Sequence, residues 1–123
     1  MKIAISSTSN KPDADVDSRF GRCSYFIIYD TDTKDFEAVN NEAAMAGGGA
    51  GIQAARTVSD FGVDTLLTGN VGPNAMATLN AAGVGVAVGV SGKIKEAVEK
   101  YLAGQYRLAK QANVKSHYGF RDE

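Results

Sequence analysis

The run Ala46-Gly47-Gly48-Gly49-Ala50-Gly51 has the clearest chemical potential in this chain. Its four glycines lack Cβ atoms, so the backbone can take positive φ and approach another group closely. The run joins a strand-like apolar stretch to an amphipathic helix beginning near Ile52. The first N–H groups of that helix are unpaired and its dipole is positive there. An anion site is the functional reading, and a flexible connector is the plain one.

Other constellations fail on spacing. Counted from Asp13, an EF-hand calcium loop needs glycine at its sixth place and glutamate at its twelfth, where the chain has Ser18 and Ser24. Asp13, Asp15 and Asp17 therefore read as a solvated acidic loop. Gly49-Ala50-Gly51-Ile52-Gln53-Ala54 fits the relaxed form of a dinucleotide fingerprint, but it does not open a βαβ unit of a parallel sheet. The next strand, Thr65 to Thr68, also lacks a terminal acid to hold a ribose. No Gly-Lys-Ser/Thr triplet exists, so there is no P-loop. His117 is the only histidine and lies near the C-terminus, a poor general base for Ser–His–Asp or Cys–His chemistry.

The elements that must position the glycine run follow from periodicity. A chain of 123 residues makes one domain, and 44% hydrophobic with 22% charged residues excludes disordered and collagen-like classes. Lys2 to Ser6 is a short strand, small on both faces and so expected at the centre of a sheet. Ser7 to Ser24 is a long polar loop, and loops of this length in small domains are often functional. Tyr25 to Tyr29 and Phe36 to Asn40 are strands joined by a hairpin connection, which gives a three-stranded meander. Ile52, Ala55, Val58 and Phe61 mark a helix that Gly62 ends. A fourth strand covers Thr65 to Thr68, followed by the turn Gly69-Asn70-Val71-Gly72 and a helix with Pro73 first, running to Gly83. Val84 to Val90 is a fifth strand. Ser91 reads as the N-cap of a last helix carrying Ile94, Ala97, Val98, Tyr101 and Leu102 inward and closing at Gly104.

The order βββαβαβα with right-handed crossovers places four strand ends and three helix starts along one edge. Ligands of open α/β sheets bind at such carboxyl ends. Residues 1–106 form this single α/β domain, and residues 107–123 form a basic C-terminal tail with Arg107, Lys110, Lys115 and Arg121. The tail is expected to attach loosely or to be ordered by a partner. A net charge of −1 gives no pull toward nucleic acid or acidic membranes. One cysteine cannot close an intramolecular disulfide, and the N-terminus lacks a signal-peptide pattern, so the expected location is cytoplasmic with no membrane partner.

Three stretches together carry a resemblance. They are Ser18-Arg19-Phe20-Gly21-Arg22-Cys23 followed by Tyr25-Phe26, the glycine run, and Leu67-Thr68-Gly69-Asn70-Val71-Gly72-Pro73-Asn74-Ala75. In them, and over Met1 to about Tyr106, the chain resembles the dinitrogenase iron–molybdenum cofactor biosynthesis family of NifX, NafY and the carboxyl-terminal domain of NifB. The resemblance implies a ribonuclease H-like α/β fold with a mixed five-stranded sheet and three helices. It also implies non-enzymatic binding or carriage of a preformed metal–sulfur cluster as a nitrogenase accessory function. The cargo would be an iron–sulfur or iron–molybdenum–sulfur cluster, bound transiently, with a cluster donor or acceptor protein as partner.

A cluster that arrives with its own sulfides is an anion, so its host needs N–H donors, guanidinium groups and at most one soft ligand. Under the resemblance, the donors are the amides around Gly47, Gly48, Gly49 and Gly51 and around Gly69 and Gly72. The carboxamides of Asn70 and Asn74 and the guanidinium groups of Arg19 and Arg22 join them. Cys23 is a soft-ligand candidate whose arginine neighbours would lower its pKa, set against a small buried residue as the plain reading. His117 is the second metal-ligand candidate, set against a solvated tail histidine. A nuclease is excluded, because neither Lys2 to Ser6 nor Thr65 to Thr68 carries the carboxylates that two-metal hydrolysis needs. The alternative function is a regulatory or adaptor module that binds a protein or nucleic acid through the basic tail. A phosphate- or nucleotide-binding protein is the third possibility.

Overall fold

Strand β1 (Lys2–Ser7) is buried from Ile3 through Ser7, because it has a neighbour on each side. In the computed structural model, which describes residues 1–45 and 48–114, β2 (Tyr25–Asp30) pairs antiparallel with β1 and sets Ile27 opposite Ile5. On the other side β4 (Thr65–Leu67) pairs parallel and sets Leu67 opposite Ile5. The outer strands are β3 (Phe36–Asn40) beside β2 and β5 (Gly85–Ala87) beside β4, giving the order β3-β2-β1-β4-β5. Only β2 runs against the others, so β1, β3, β4 and β5 share one carboxyl edge. The five-stranded mixed sheet and its central first strand match expectation.

Helices α1 (Ala50–Asp60) and α2 (Pro73–Ala81) cover one face, and α3 (Ile94–Leu102) covers the other. Ala54, Ala55, Val58, Met76 and Leu79 meet Phe20, Phe26, Leu66 and Val86 in the first core. Ile94, Ala97 and Val98 meet Ile3, Ile5, Ile27 and Leu67 in the second. Each fully buried aliphatic or aromatic side chain here contributes roughly 1.5–3 kcal/mol relative to exposure. A short 3₁₀ turn (Glu42–Met45) precedes α1. Gly62, Gly83 and Gly104 all take positive φ just past the three helices, as their positions in the sequence suggested. No helix among the described residues is long and apolar enough to cross a membrane.

The boundaries that bear on the site differ from the sequence reading at α1, β5 and α3. Helix α1 begins at Ala50, two residues before Ile52, because Gly49 takes φ 73° and turns the chain there. Strand β5 ends at Ala87 rather than Val90, and Gly89 and Val90 instead donate to the carbonyls of Gly69 and Thr68. Ser91 does not cap α3, which starts at Ile94 after Lys93 with no side-chain cap. The long loop supplies the partners instead. Val16 N–H donates to the Gly92 carbonyl at 2.8 Å, Ile94 N–H donates to the Ala14 carbonyl at 2.9 Å, and Lys93 pairs with Asp15 at 3.4 Å. The start of α3 is therefore covered, and two helix starts, not three, stay open at the carboxyl edge.

The first part of the tail is attached to the body, contrary to the expected loose attachment. Ala109 N–H donates to the Val86 carbonyl at 2.6 Å, and the Asn80 carboxamide donates to the Lys110 carbonyl at 2.9 Å. Ala109 and Ala112 pack on the first core, and Leu108 lies over Gly85, where a Cβ would come within 2.8 Å of it. Small residues on both sides let this segment, residues 108–113, lie as a strap against β5.

Candidate anion-binding site

The loop after β1 is tied to the carboxyl edge by a buried polar cluster. Ser6 Oγ donates to the Asp17 carbonyl at 2.7 Å and lies 2.7 Å from Thr68 Oγ1, while Asp17 N–H donates to the Ser6 carbonyl at 2.8 Å. Asp17 is itself buried, and its Oδ1 accepts the Arg19 N–H at 2.9 Å and faces Arg19 Nε at 3.5 Å. The carboxylate thus fixes both the backbone and the guanidinium of Arg19. Phe20 then turns inward against Phe26, with ring centroids 5.3 Å apart, and this anchors the loop in the core. Arg22 Nη1 donates to the Ala44 carbonyl at 3.0 Å, which links the loop to the 3₁₀ turn before the glycine run.

Between this loop and the two open helix starts lies a cavity of about 80 Å³. Arg19, Arg22, Gly49, Gly51, Asn70, Gly72 and Asn74 all line it, together with Phe20, Gly21, Ala50, Ile52, Pro73, Ala75 and Val114. The first i to i−4 bond of α1 runs from Gln53 N–H to the Gly49 carbonyl, so the N–H groups of Ala50, Gly51 and Ile52 precede the helical ladder. The first such bond of α2 runs from Met76 to Gly72, which leaves the N–H groups of Asn74 and Ala75 in the same position. Neither helix has a side-chain cap. Two positive helix ends and two arginine-bearing positions therefore meet at one concavity, an arrangement that favours an anion.

Close backbone packing makes this convergence possible. A Cβ at Gly21 would lie 3.0 Å from the Gly51 nitrogen, and one at Gly51 would lie 3.1 Å from the Ala75 Cβ. Gly21 belongs to the Arg19-Phe20-Gly21-Arg22 stretch, and nothing in that local pattern signals its contact with Gly51. Its absent side chain is what lets the arginine loop touch the start of α1.

Several expected residues play other parts. Gly69 does not line the cavity, since a Cβ there would fall 2.7 Å from the Ser18 Cα, and its smallness serves the loop-to-turn contact. Gly48 is exposed, faces open space and is not in the lining. Gly47 and His117 lie outside the described residues. The carboxamide of Asn70 lies at the wall, but both of its ends bond within the protein. Its Nδ2 donates to the Ser18 carbonyl, and its Oδ1 accepts from Asn113 Nδ2, each at 3.0 Å. Asn113 itself was not found by sequence reasoning, because nothing in its local pattern signals a partner 43 positions away.

Cys23 is fully buried and absent from the cavity lining. Its Sγ donates to the Phe20 carbonyl at 3.2 Å. Burial, reinforced by the Asp17 charge, pushes the thiol up to about 12, so it is neutral over the physiological range rather than activated by its arginine neighbours. Among the described residues, no three His, Cys, Asp or Glu side chains are grouped to hold a metal ion. The cavity offers donors for an anion, not a cage for a bare cation.

A family model described as dinitrogenase iron–molybdenum cofactor matches residues 1–104. An uncharacterised protein of Methanocaldococcus jannaschii is 28% identical over 108 residues, covering 85% of this chain and 88% of that protein. Among solved structures, the apo form of the orange protein from Desulfovibrio gigas superposes with a TM-score of 0.90 at 37% identity, over 92% of this chain and 96% of that one. A candidate NifB protein from Thermotoga superposes with a TM-score of 0.81 at 35% identity, over 94% of this chain and 98% of its own.

Proposed function

The chain belongs to the dinitrogenase iron–molybdenum cofactor family, and from that premise we propose that it binds or carries a preformed, anionic metal–sulfur cluster at this cavity without making or breaking bonds in it. The observation that carries the reading is the convergence of the starts of α1 and α2 with Arg19 and Arg22 on one concavity. Backbone N–H groups and guanidinium groups donate to the sulfides of a cluster that brings its own internal bonding. The cargo is of the iron–sulfur or iron–molybdenum–sulfur type. A cavity of about 80 Å³ holds one face of such a group and leaves the rest exposed, which suits transient binding and transfer to or from a partner protein. Cys23 takes no part. The reading rests on the cavity and not on His117, which enters only as a ligand the tail could add.

We also propose that the sheet is of the ribonuclease H-like type, on its five strands with a single antiparallel member. We further propose a cytoplasmic location and a division at Tyr106 between the α/β domain and the tail. The test is anaerobic incubation with a synthetic four-iron, four-sulfide cluster that keeps its own thiolate ligands, followed by gel filtration. Iron and acid-labile sulfide co-eluting near one cluster per chain support carriage. Protein that elutes free of both contradicts it and favours an adaptor acting through the basic tail.

A further inference from the structure

Asn113 bonds to the turn before α2 through both its backbone and its carboxamide. Val71 N–H donates to Asn113 Oδ1 at 2.8 Å, and Asn113 N–H donates to the Val71 carbonyl at 3.1 Å. Asn113 Nδ2 donates to the Gly69 carbonyl at 3.1 Å and to Asn70 Oδ1 at 3.0 Å. The side chain and backbone of one residue in the strap thus engage three successive residues of the turn. We infer that Asn113 is a positioning residue of the anion site, holding the Gly69–Gly72 turn so that the free N–H groups of Asn74 and Ala75 and the Arg19 loop face the same cavity. This role deepens the cluster-binding reading and rests on it.

The two connections run in opposite directions from the turn. Toward α2, Gly72 and Pro73 follow at once, and with no side-chain cap the direction of the first helical N–H groups depends on how the turn is held. Toward the loop, Asn70 Nδ2 donates to the Ser18 carbonyl, and Phe20 N–H donates to the Asn70 carbonyl at 3.3 Å. Arg19 lies between those two contacts and forms a bridge with Asn70. Val114, next to Asn113, lines the cavity itself. The strap keeps independent anchors at Ala109 and Lys110 and its backbone bond from Asn113 N–H to the Val71 carbonyl, so losing the Asn113 side chain loosens the turn without detaching the strap.

The test compares the wild-type chain of 123 residues with N113A, N113D and the control K110A, since Lys110 is exposed and anchors the strap through its carbonyl. Three quantities are measured: affinity for the synthetic four-iron, four-sulfide cluster, amide chemical shifts in the free protein, and Tm. N113A is expected to weaken binding on the order of tenfold and to move the amide signals of Val71, Asn74 and Ala75. N113D should weaken binding further, because an oxygen would face the Gly69 and Asn70 oxygens and a negative charge would stand by the cavity. K110A should match wild type. A lowered Tm with unchanged affinity in the folded N113A protein would mean a merely structural residue and overturn the role, as would unmoved amide signals. If N113A does not fold, N113S gives the same comparison. Wild type that takes up no cluster overturns the parent reading and this role together, whereas normal binding by N113A overturns this role alone.

Discussion

Gly51 and Ala75 approach so closely that a methyl group added at Gly51 would lie 3.1 Å from the Ala75 Cβ. This contact sets how near the starts of α1 and α2 can come. Replacing Gly51 with valine wedges them apart, and overpacking of this kind costs about 1–3 kcal/mol. G51V should therefore lower Tm and lose cluster loading. Gly48→Val extends into open space and should change stability by less than about 0.5 kcal/mol while keeping the cluster. Thermal unfolding with iron and sulfide analysis of both variants checks the pair.

Arg19 and Arg22 supply the side-chain charge at the cavity. The ion pair of Arg19 with Asp17 is about half exposed on the arginine side, and the buried Asp17 carboxylate keeps its bond from the Arg19 backbone N–H whatever side chain stands there. R19Q should leave Tm nearly unchanged and weaken cluster binding on the order of tenfold, because charge-assisted hydrogen bonds to an anion are the strong ones. Raising salt should weaken binding to wild type more than to R19Q. A titration at two ionic strengths reads both effects.

The buried thiol of Cys23 predicts a pH dependence of definite sign. Its pKa stands at about 12 in the folded chain against an ordinary 9.0. Between those values the unfolded chain has released the proton and the folded chain has kept it, so stability falls as pH rises from about 9 toward 12 and is unaffected by this group below that window. Denaturation curves across the window should fall less steeply for C23A than for wild type. In the native protein near pH 8, iodoacetamide should leave Cys23 unmodified and should react once the chain is unfolded.

Truncation separates the strap from the rest of the tail. A chain ending at Val114 retains Asn113 and the cavity wall and should load a cluster as the full chain does. A chain ending at Gly104 loses Asn113 and Val114 and should load poorly even where it folds. Gel filtration with metal analysis distinguishes the two.

Much of the framework was legible because each element repeats a local signal. The alternation in Lys2–Ser6, the threefold spacing of Ile52, Ala55 and Val58, and the glycines at the helix ends all report residues that are near one another in sequence. The carboxyl edge as the place for a site followed from strand direction. What escaped notice depends on distant partners. Ser91 has the chemistry of a cap, but Ala14 and Val16 reach the start of α3 first. Asn70 has the chemistry of a ligand donor, but Ser18 and Asn113 consume both ends of its carboxamide. Cys23 follows two arginine-containing steps in sequence, yet Phe20 and Asn41 enclose it. A basic composition likewise hid the small residues Ala109 and Ala112, which attach the strap to the core.

The measurement that tests the central claim most directly is a nuclear magnetic resonance titration of the ¹⁵N-labelled protein with the synthetic four-iron, four-sulfide cluster under anaerobic conditions. Cluster held between the two helix starts predicts shifts or broadening concentrated at the amides of Gly51, Ile52, Asn74 and Ala75 and at the Arg19 side chain. Changes confined to residues 115–123, or none at one equivalent, would contradict it.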